Sequence, residues 1–511
     1  MKKYILIGLA LLVFFFVSCS PKTEYTNALP KDASVMVMID MKAIIQKAGL
    51  EGDAGKDLSN KIAGLLKDGL EGETAKLMER IVHEPSESGL NLKDKLYLFT
   101  TPHANVYGVV AKVADKGKLE DLFEVLHKEQ LTSTVKKEGS CQWTQIGNAL
   151  CAFNNGTFLL LQHKSGDVEN IKGMLFSLMR QKDGEGYASL SEFASLSKEN
   201  KDIVSTVDAS ILPDEIITPL RMGLPGDIKL QDIKYLVSAS FEKGHLLMDA
   251  HLMTQNKKVE AFIHKMNEIT GLIQAKYMDY FPAKTTAWMG GRIHGGTFYD
   301  IICQNPTIRQ FVNNPILPVD VERIFSSVEG DFGFGCLSMA TKEFLMYVDV
   351  TNSNFLETFE DLRPLLAMTG GEVRLHDTAE NQYALQTYNA VYWFGVKNHF
   401  FYVTNRRELA QEAGRTFGVS VGTRPWTNDV KNNRIHASIN FSSLSADLKQ
   451  NPYLLASLSN RQTISICQML VNQCEYMNIS IPDWSQSKLD IAMKDKKENV
   501  LSLMVQMVNG L

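Results

Sequence analysis

Apolar residues recur along this chain with two periods. Short continuous or alternating runs read as strands, and runs spaced three to four residues apart read as helices. Val35 to Ile39 is apolar at every position, which predicts a strand buried on both faces. Asp40 follows as an N-cap, Ile44, Ile45 and Ala48 give a helical face, and Gly49 supplies a stop. Leu96 to Thr100 and Val106 to Val113 then read as a hairpin. The next helix, Lys118 to Gln130, carries Leu119, Leu122, Phe123 and Leu126 on one face. Trp143 to Ile146, Ala149 to Phe153 and Phe158 to Gln162 predict a meander, turned at Gly147-Asn148. A helix through Val168, Ile171 and Leu175, a strand from Ile203 to Val207, and a hairpin of Tyr235 to Phe241 with Leu246 to Met253 complete the series.

The same order returns after roughly 230–250 residues, the mark of an internal duplication. Phe281-Pro282-Ala283-Lys284 opens the second copy as Leu29-Pro30-Lys31-Asp32-Ala33 opens the first. Thr286 to Ile293 matches the first strand, Phe332 to Met339 with Phe344 to Val350 the hairpin, and Tyr383 to Tyr388, Val391 to Val396 and Phe400 to Thr404 the meander. Arg434 to Phe441 with Ser442 pairs off with Ile203 to Val207 and Asp208. Lys488 to Met493 and Val500 to Val508 read as the closing hairpin, which leaves the helix Val259 to Ile269 without a counterpart. Leu212 to Ile228 and Leu448 to Met477 read as dissimilar helical insertions. Sequential hairpins interleaved with helices predict an α+β protein: tandem duplicated units of antiparallel sheet with helices packed on one face, a first repeat at 31–279 and a second at 280–511. One continuous sheet shared by both halves is the alternative.

The N-terminus changes where this body is expected to reside. Lys2 and Lys3 precede 13 unbroken apolar residues, Ile5 to Val17. That is shorter than the roughly 20 residues a membrane span requires and matches the core of a signal peptide. Phe16-Val17-Ser18-Cys19 follows, so residues 1–18 read as a cleaved signal and Cys19 as the site of lipid attachment, diacylglycerol and palmitate included. Two or more acyl chains anchor stably. Residues 19–30, polar at first, read as anchor and tether. The expected partner is therefore a membrane, reached through the lipid on Cys19, and the expected location is the cell envelope, lipid-anchored at the outer membrane. The periplasmic and surface sides both remain open.

Charge and chemistry add mainly exclusions. With 53 basic and 58 acidic residues the net charge is −5, and loss of Lys2 and Lys3 would make it −7. A nucleic-acid partner, which calls for a basic patch, is not expected. Cys141, Cys151, Cys303, Cys336, Cys467 and Cys474 form no CxxC pair and read as free thiols. No HExxH, GxGxxG or P-loop occurs, and no catalytic residue, metal ligand or cofactor is assigned. Gly333-Phe334-Gly335 lies in a strand pattern, where glycines mark a bend or close packing. Trp143, Trp288, Trp426, Trp484 and the aromatic stretch Tyr388 to Tyr402 read chiefly as packing residues. Asp377-Thr378-Ala379, in a polar loop between Gly370-Gly371 and the next strand, resembles the O-glycosylation signal of exported Bacteroidetes proteins and makes Thr378 a candidate site.

The loose lipobox, the opening Asn27-Ala28-Leu29-Pro30-Lys31-Asp32-Ala33 and the strand ending in Ile39-Asp40 together resemble a family of Bacteroidetes lipoproteins known only as a domain of unknown function. That resemblance covers nearly the whole chain after Cys19, implies an envelope lipoprotein, and brings no catalytic residues with it. The expected function is a non-enzymatic binding or scaffold module with an envelope protein or glycan as partner. The alternative is a periplasmic or surface hydrolase acting on glycan or peptide.

Overall fold

The computed structural model describes residues 24–67, 72–101, 105–212, 228–312, 319–455 and 461–510. The signal segment 1–18 and Cys19 lie outside them, as does nearly all of the expected insertion Leu212 to Ile228. The chain forms two compact units. Unit 1 holds residues up to Ile211, Lys234–Met253 and the residues from Lys496. Unit 2 is chiefly Thr254–Asp495.

Unit 1 carries strands β1 (Val35–Asp40), β2 (Leu90–Asn91), β3 (Lys95–Thr101), β4 (Val106–Val113), β5 (Lys136–Glu138), β6 (Cys141–Ile146), β7 (Ala149–Phe153), β8 (Thr157–His163), β9 (Ile203–Asp208), β10 (Lys234–Glu242) and β11 (His245–Met253). They pair antiparallel in the order β11-β10-β9-β1-β3-β4-β8-β7-β6-β5, with β2 on β4. Unit 2 carries β12 (Ala287–His294), β13 (Val328–Ser338), β14 (Glu343–Val350), β15 (Arg374–Ala379), β16 (Gln382–Gln386), β17 (Val391–Lys397), β18 (Phe400–Thr404), β19 (Ile435–Asn440), β20 (Cys474–Asp483) and β21 (Gln486–Met493). Its order, β21-β20-β19-β12-β13-β14-β18-β17-β16-β15, repeats that of unit 1 strand for strand. The fold is α+β and duplicated.

Hydrogen bonds fix which residues correspond. Ser34 N–H donates to Thr100 O and Thr286 N–H to Cys336 O, each at 2.9 Å; Asp208 N–H donates to Ser34 O and Asn440 N–H to Thr286 O, each at 2.8 Å. Asp208 therefore matches Asn440, two residues earlier than the Ser442 suggested by the sequence pattern. Asn440 is the residue that caps the next helix, its Oδ1 accepting from Ser442 and Ser443 N–H.

Helices cover both faces of each sheet, where the strand pattern predicts one. The reason lies in the strands, which are apolar at successive positions. In unit 1, Met36, Met38, Tyr97, Phe99 and Val110 pack beneath the helix Val168–Arg180 and Leu29, while Leu96, Ala111, Phe153 and Phe158 pack beneath Gly72–His83 and Lys116–Lys128. In unit 2, Tyr347, Phe400 and Tyr402 face one core, and Val350, Phe394 and Phe401 the other.

Two more expectations are corrected. Val500 to Val508 is not a strand but part of the helix Val500–Gly510, because Asn499 Oδ1 accepts from Leu501 N–H at 3.0 Å and starts a helical turn. The closing hairpin is β20–β21, so β20 takes in Cys474 to Met477, read from sequence as helical. The new helix supplies the missing counterpart of Lys257–Ile269. It packs on Met41–Lys47 and Asp53–Lys67 of unit 1, whereas Lys257–Ile269 packs on Gly295–Ile302 of unit 2. The polar run expected as tether also ends early. Glu24–Ala28 is a 3-10 helix, Tyr25 and Leu29 are buried, and Tyr25 Oη donates to Lys95 O at 3.0 Å.

The core of unit 2 shows a size exchange relative to unit 1. Where unit 1 has Leu29, Tyr97 and Phe99, unit 2 has Phe281, Gly333 and Gly335 at the matching register. A Cβ on Gly335 would lie 2.6 Å from the Phe281 ring. These glycines therefore make room for a ring, which is close packing and not a bend.

Candidate functional site: a polar-aromatic pocket in unit 2

Three central strands, β12, β19 and β20, run side by side and present Trp288, His436, Ser438 and Asn478 on one face. Trp288 lies across Gly290, where a Cβ would come within 2.5 Å of the indole. The segment Val421–Thr423 and the 3-10 helix Pro425–Asn432 fold over this face and bring in Arg424 and Trp426. The Trp426 ring stacks on His436 at 5.0 Å and 19°, and its centroid is 6.1 Å from that of Trp288. Trp288, Trp426, Ser438, Arg424, Glu475 and Tyr476 are among the residues that line a cavity of about 100 Å³; His436 and Asn478 are not.

The electrostatics are those of a near-neutral site. Arg424 Nη2 donates to Ala283 O, which also accepts from Asn440 Nδ2 at 3.2 Å. Glu475 also lines the cavity. Burial, then the carboxylates of Asp490, Glu475 and Asp429, push Tyr476 up to about 12, so its hydroxyl keeps its proton. Burial lowers His436 to about 4; the nearby Asn478 side chain opposes that shift without reaching hydrogen-bond geometry. His436 is therefore a neutral imidazole at physiological pH, with Nδ1 3.1 Å from Ser480 Oγ.

Three polar atoms here have no hydrogen-bond partner among the described residues: Trp288 Nε1, His436 Nε2 and Asn478 Oδ1. Among the described residues such atoms also occur elsewhere, at Thr358 and Arg434 in unit 2 and at Thr74, Thr101, Gln142 and Gln181 in unit 1, while other buried polar groups are fully engaged. The Asp447 carboxylate, for example, accepts from Thr286, Ser338 and Met339. An unpartnered buried donor or acceptor costs about 1–3 kcal/mol.

The corresponding place in unit 1 is a closed apolar core. Met36, Val204 and Leu236, respectively 0%, 0% and 8% exposed, occupy the positions of Trp288, His436 and Asn478, respectively 4%, 2% and 5% exposed. Leu190 stands where unit 2 has Arg424, each N–H closing the turn back to residue 187 or 421. The neighbouring Thr206 is satisfied, its Oγ1 2.6 Å from Tyr187 Oη. On the other face of the unit 1 sheet a shallow apolar groove of about 310 Å³ runs over Val35, Val37, Leu98, Tyr107 and Val109.

Of the residues singled out from sequence, Trp288 and Trp426 meet at the pocket. Trp143 is half-buried under Lys172, and Trp484 donates to Thr270 Oγ1 at 2.7 Å. In the stretch Tyr388 to Tyr402, Phe394, Phe400 and Tyr402 are buried and Tyr388 is exposed. Thr378 is exposed, on β15 and not in a loop, at a register irregularity between Asp377 and Ala379. The six cysteines after Cys19 are free. Among the described residues no three His, Cys, Asp or Glu side chains converge as metal ligands, and no helix is long and apolar enough to cross a membrane. His436, Asn478 and Arg424 were not legible in the sequence pattern. A register-correct alignment of the two copies reveals them, because polar residues then stand opposite apolar ones.

Fold and pocket together define a duplicated α+β protein whose second unit has a built cavity. The chain belongs to the family described as Domain of unknown function (DUF4836), whose model matches residues 25–501. No curated protein matches it. Among solved structures, TP0453 in crystal form IV is similar with a TM-score of 0.29 and 9% identity over 45% of this chain and 81% of that one. Crystal form I gives 0.28 and 9% over 50% and 88%. At such scores the likeness carries no argument.

Proposed function

We propose that this protein is a lipid-anchored envelope lipoprotein that acts without catalysis, as a binding module whose ligand site is the unit 2 pocket. The observation that carries this reading is the contrast between copies. Four positions that serve packing in unit 1 are polar or indole-bearing in unit 2, and two of them, Trp288 and Arg424, line a cavity. The pocket lining contains a single carboxylate, Glu475, whereas glycoside hydrolysis commonly uses two. That favours binding over hydrolysis.

The address rests on Cys19 and the apolar run before it. With Tyr25 packed in the core, residues 19–23 form the tether and reach roughly 18 Å when extended. Unit 1 would then sit close to the membrane of the cell envelope. Cys19→Ala should move the protein to the soluble fraction; undiminished membrane association would refute the anchor. The exposure of Thr378 suits O-glycosylation, and intact mass equal to peptide plus lipid would exclude it. The binding role is tested by capture from envelope extracts with the full chain and with its Arg424→Leu variant. A partner, protein or glycan, that is retained by the first and lost from the second supports the pocket. Identical retention by both refutes it.

A further inference from the structure

We infer that Lys112 and Asn91 of unit 1 join side chain to side chain in an isopeptide bond, with Asp94 carrying the protons. The bond is a covalent staple between β2 and β4 and does not depend on the unit 2 pocket.

Lysine is almost never fully buried unless paired, and Lys112 is 3% exposed. It lies on β4 directly across the antiparallel ladder from Asn91 on β2, which is also 3% exposed. Side chains opposite one another in such a ladder have Cβ atoms about 4.5–5.5 Å apart. The turn between β2 and β3 brings in Asp94, one oxygen of which serves both. Lys112 Nζ lies 2.6 Å from Asp94 Oδ2, and Asn91 Nδ2 donates to that same oxygen at 3.1 Å. An amine, a carboxamide and a carboxylate thus meet at one atom. Asn91 Oδ1 accepts from Lys93 N–H at 3.1 Å, which places a donor where negative charge gathers when the carbonyl carbon is attacked. Tyr25 and Tyr97 lie buried near the carboxylate. The Asp94 side chain itself is 38% exposed, which leaves ammonia a way out.

The step balances without an oxidant or a cofactor. Asp94 takes one proton from the Lys112 ammonium and frees the lone pair on Nζ. Nζ attacks Cγ of Asn91, forming the new C–N bond as the carbonyl electrons move onto Oδ1. Asp94 passes its proton to Nδ2, the Cγ–Nδ2 bond breaks, and ammonia leaves. Nζ gives its second proton to the same carboxylate, from which ammonia carries it away as ammonium. Unit 2 is the internal control. Asp349 stands at the place of Lys112, and its partners are the Lys276 ammonium, Tyr277 Oη at 2.5 Å and the backbone N–H of Asp331 at 3.0 Å. The ion pair is kept there with its charges exchanged, whereas unit 1 adds the carboxamide.

The test is a tryptic digest of the denatured full chain, read by mass spectrometry. Linkage blocks cleavage after Lys112. Ile81–Lys93 and Leu96–Lys116 should therefore appear as one branched peptide, lighter than the two together by one ammonia. Lys112→Arg and Asp94→Ala should lack it and release Ile81–Lys93 free. Recovery of Ile81–Lys93 and Leu96–Lys112 from the parent in full yield would overturn the inference and leave Lys112 as an ion-paired residue of the core. The parent digest decides the bond by itself, whatever the stability of the variants. Native circular dichroism of Asp94→Ala separates lost chemistry from lost fold, and an undiminished branched peptide in that variant would overturn the role of Asp94.

Discussion

Unit 1 and unit 2 share ten strands in one order and register, yet one has a closed apolar core where the other has a polar pocket. Both arrangements fold, so packing alone does not require Trp288, His436 and Asn478. Unit 1 shows that Met36, Val204 and Leu236 satisfy the same backbone. The difference teaches that the polar set in unit 2 is tolerated at a cost in stability, which is what a site for a ligand entails. The exchange of Leu29, Tyr97 and Phe99 for Phe281, Gly333 and Gly335 has another character. There two strand rings are lost and the loop leucine becomes a phenylalanine whose ring fills part of the space they leave.

The most severe way to break the comparison is to give unit 1 the chemistry of unit 2. Leu236→Asn buries an amide in an apolar core and should lower unfolding stability by about 3–4 kcal/mol in urea titrations. A loss below about 1 kcal/mol would mean that unit 1 tolerates polarity as unit 2 does. The pH dependence comes next. The imidazole of His436 is neutral when folded down to about pH 4 and protonates near 6.5 when unfolded. The unfolded state therefore binds the extra proton between those values. The contribution is fully present above about pH 6.5 and is lost as pH falls toward 4, by about 3 kcal/mol in all. His436→Val, the unit 1 residue, should flatten that limb in pH-dependent melting.

A smaller effect tests the size exchange. Gly335→Ala sets a Cβ against Phe281 and should destabilise by about 2 kcal/mol. Adding Phe281→Leu should recover part of this, a coupling that a double-mutant cycle measures. The gentlest change is Asn478→Leu, which replaces an unpartnered amide by the unit 1 residue and should stabilise by about 1 kcal/mol.

Much of this fold was legible in the chain. Val35 to Ile39, the hairpins and the meanders carry their period openly, and the repeat order follows from them. What misled was local. Val500 to Val508 is apolar enough to pass for a strand, and only Asn499, a cap, marks it as a helix. The pocket was hidden for a different reason. Arg424 and Trp426 come from a 3-10 segment, and Trp288, Ser438 and Asn478 from strands 40 to 190 residues apart, which only pairing brings together. A two-residue slip in matching Asp208 to Ser442 instead of Asn440 also concealed that His436 stands at the place of Val204.

The most direct measurement pairs stability with binding in Asn478→Leu. The account predicts a higher urea midpoint than the parent together with loss of the partner that the parent retains from envelope extracts. A lower midpoint with binding unchanged would contradict it, because Asn478 would then be a structural residue and the pocket merely a gap in the packing.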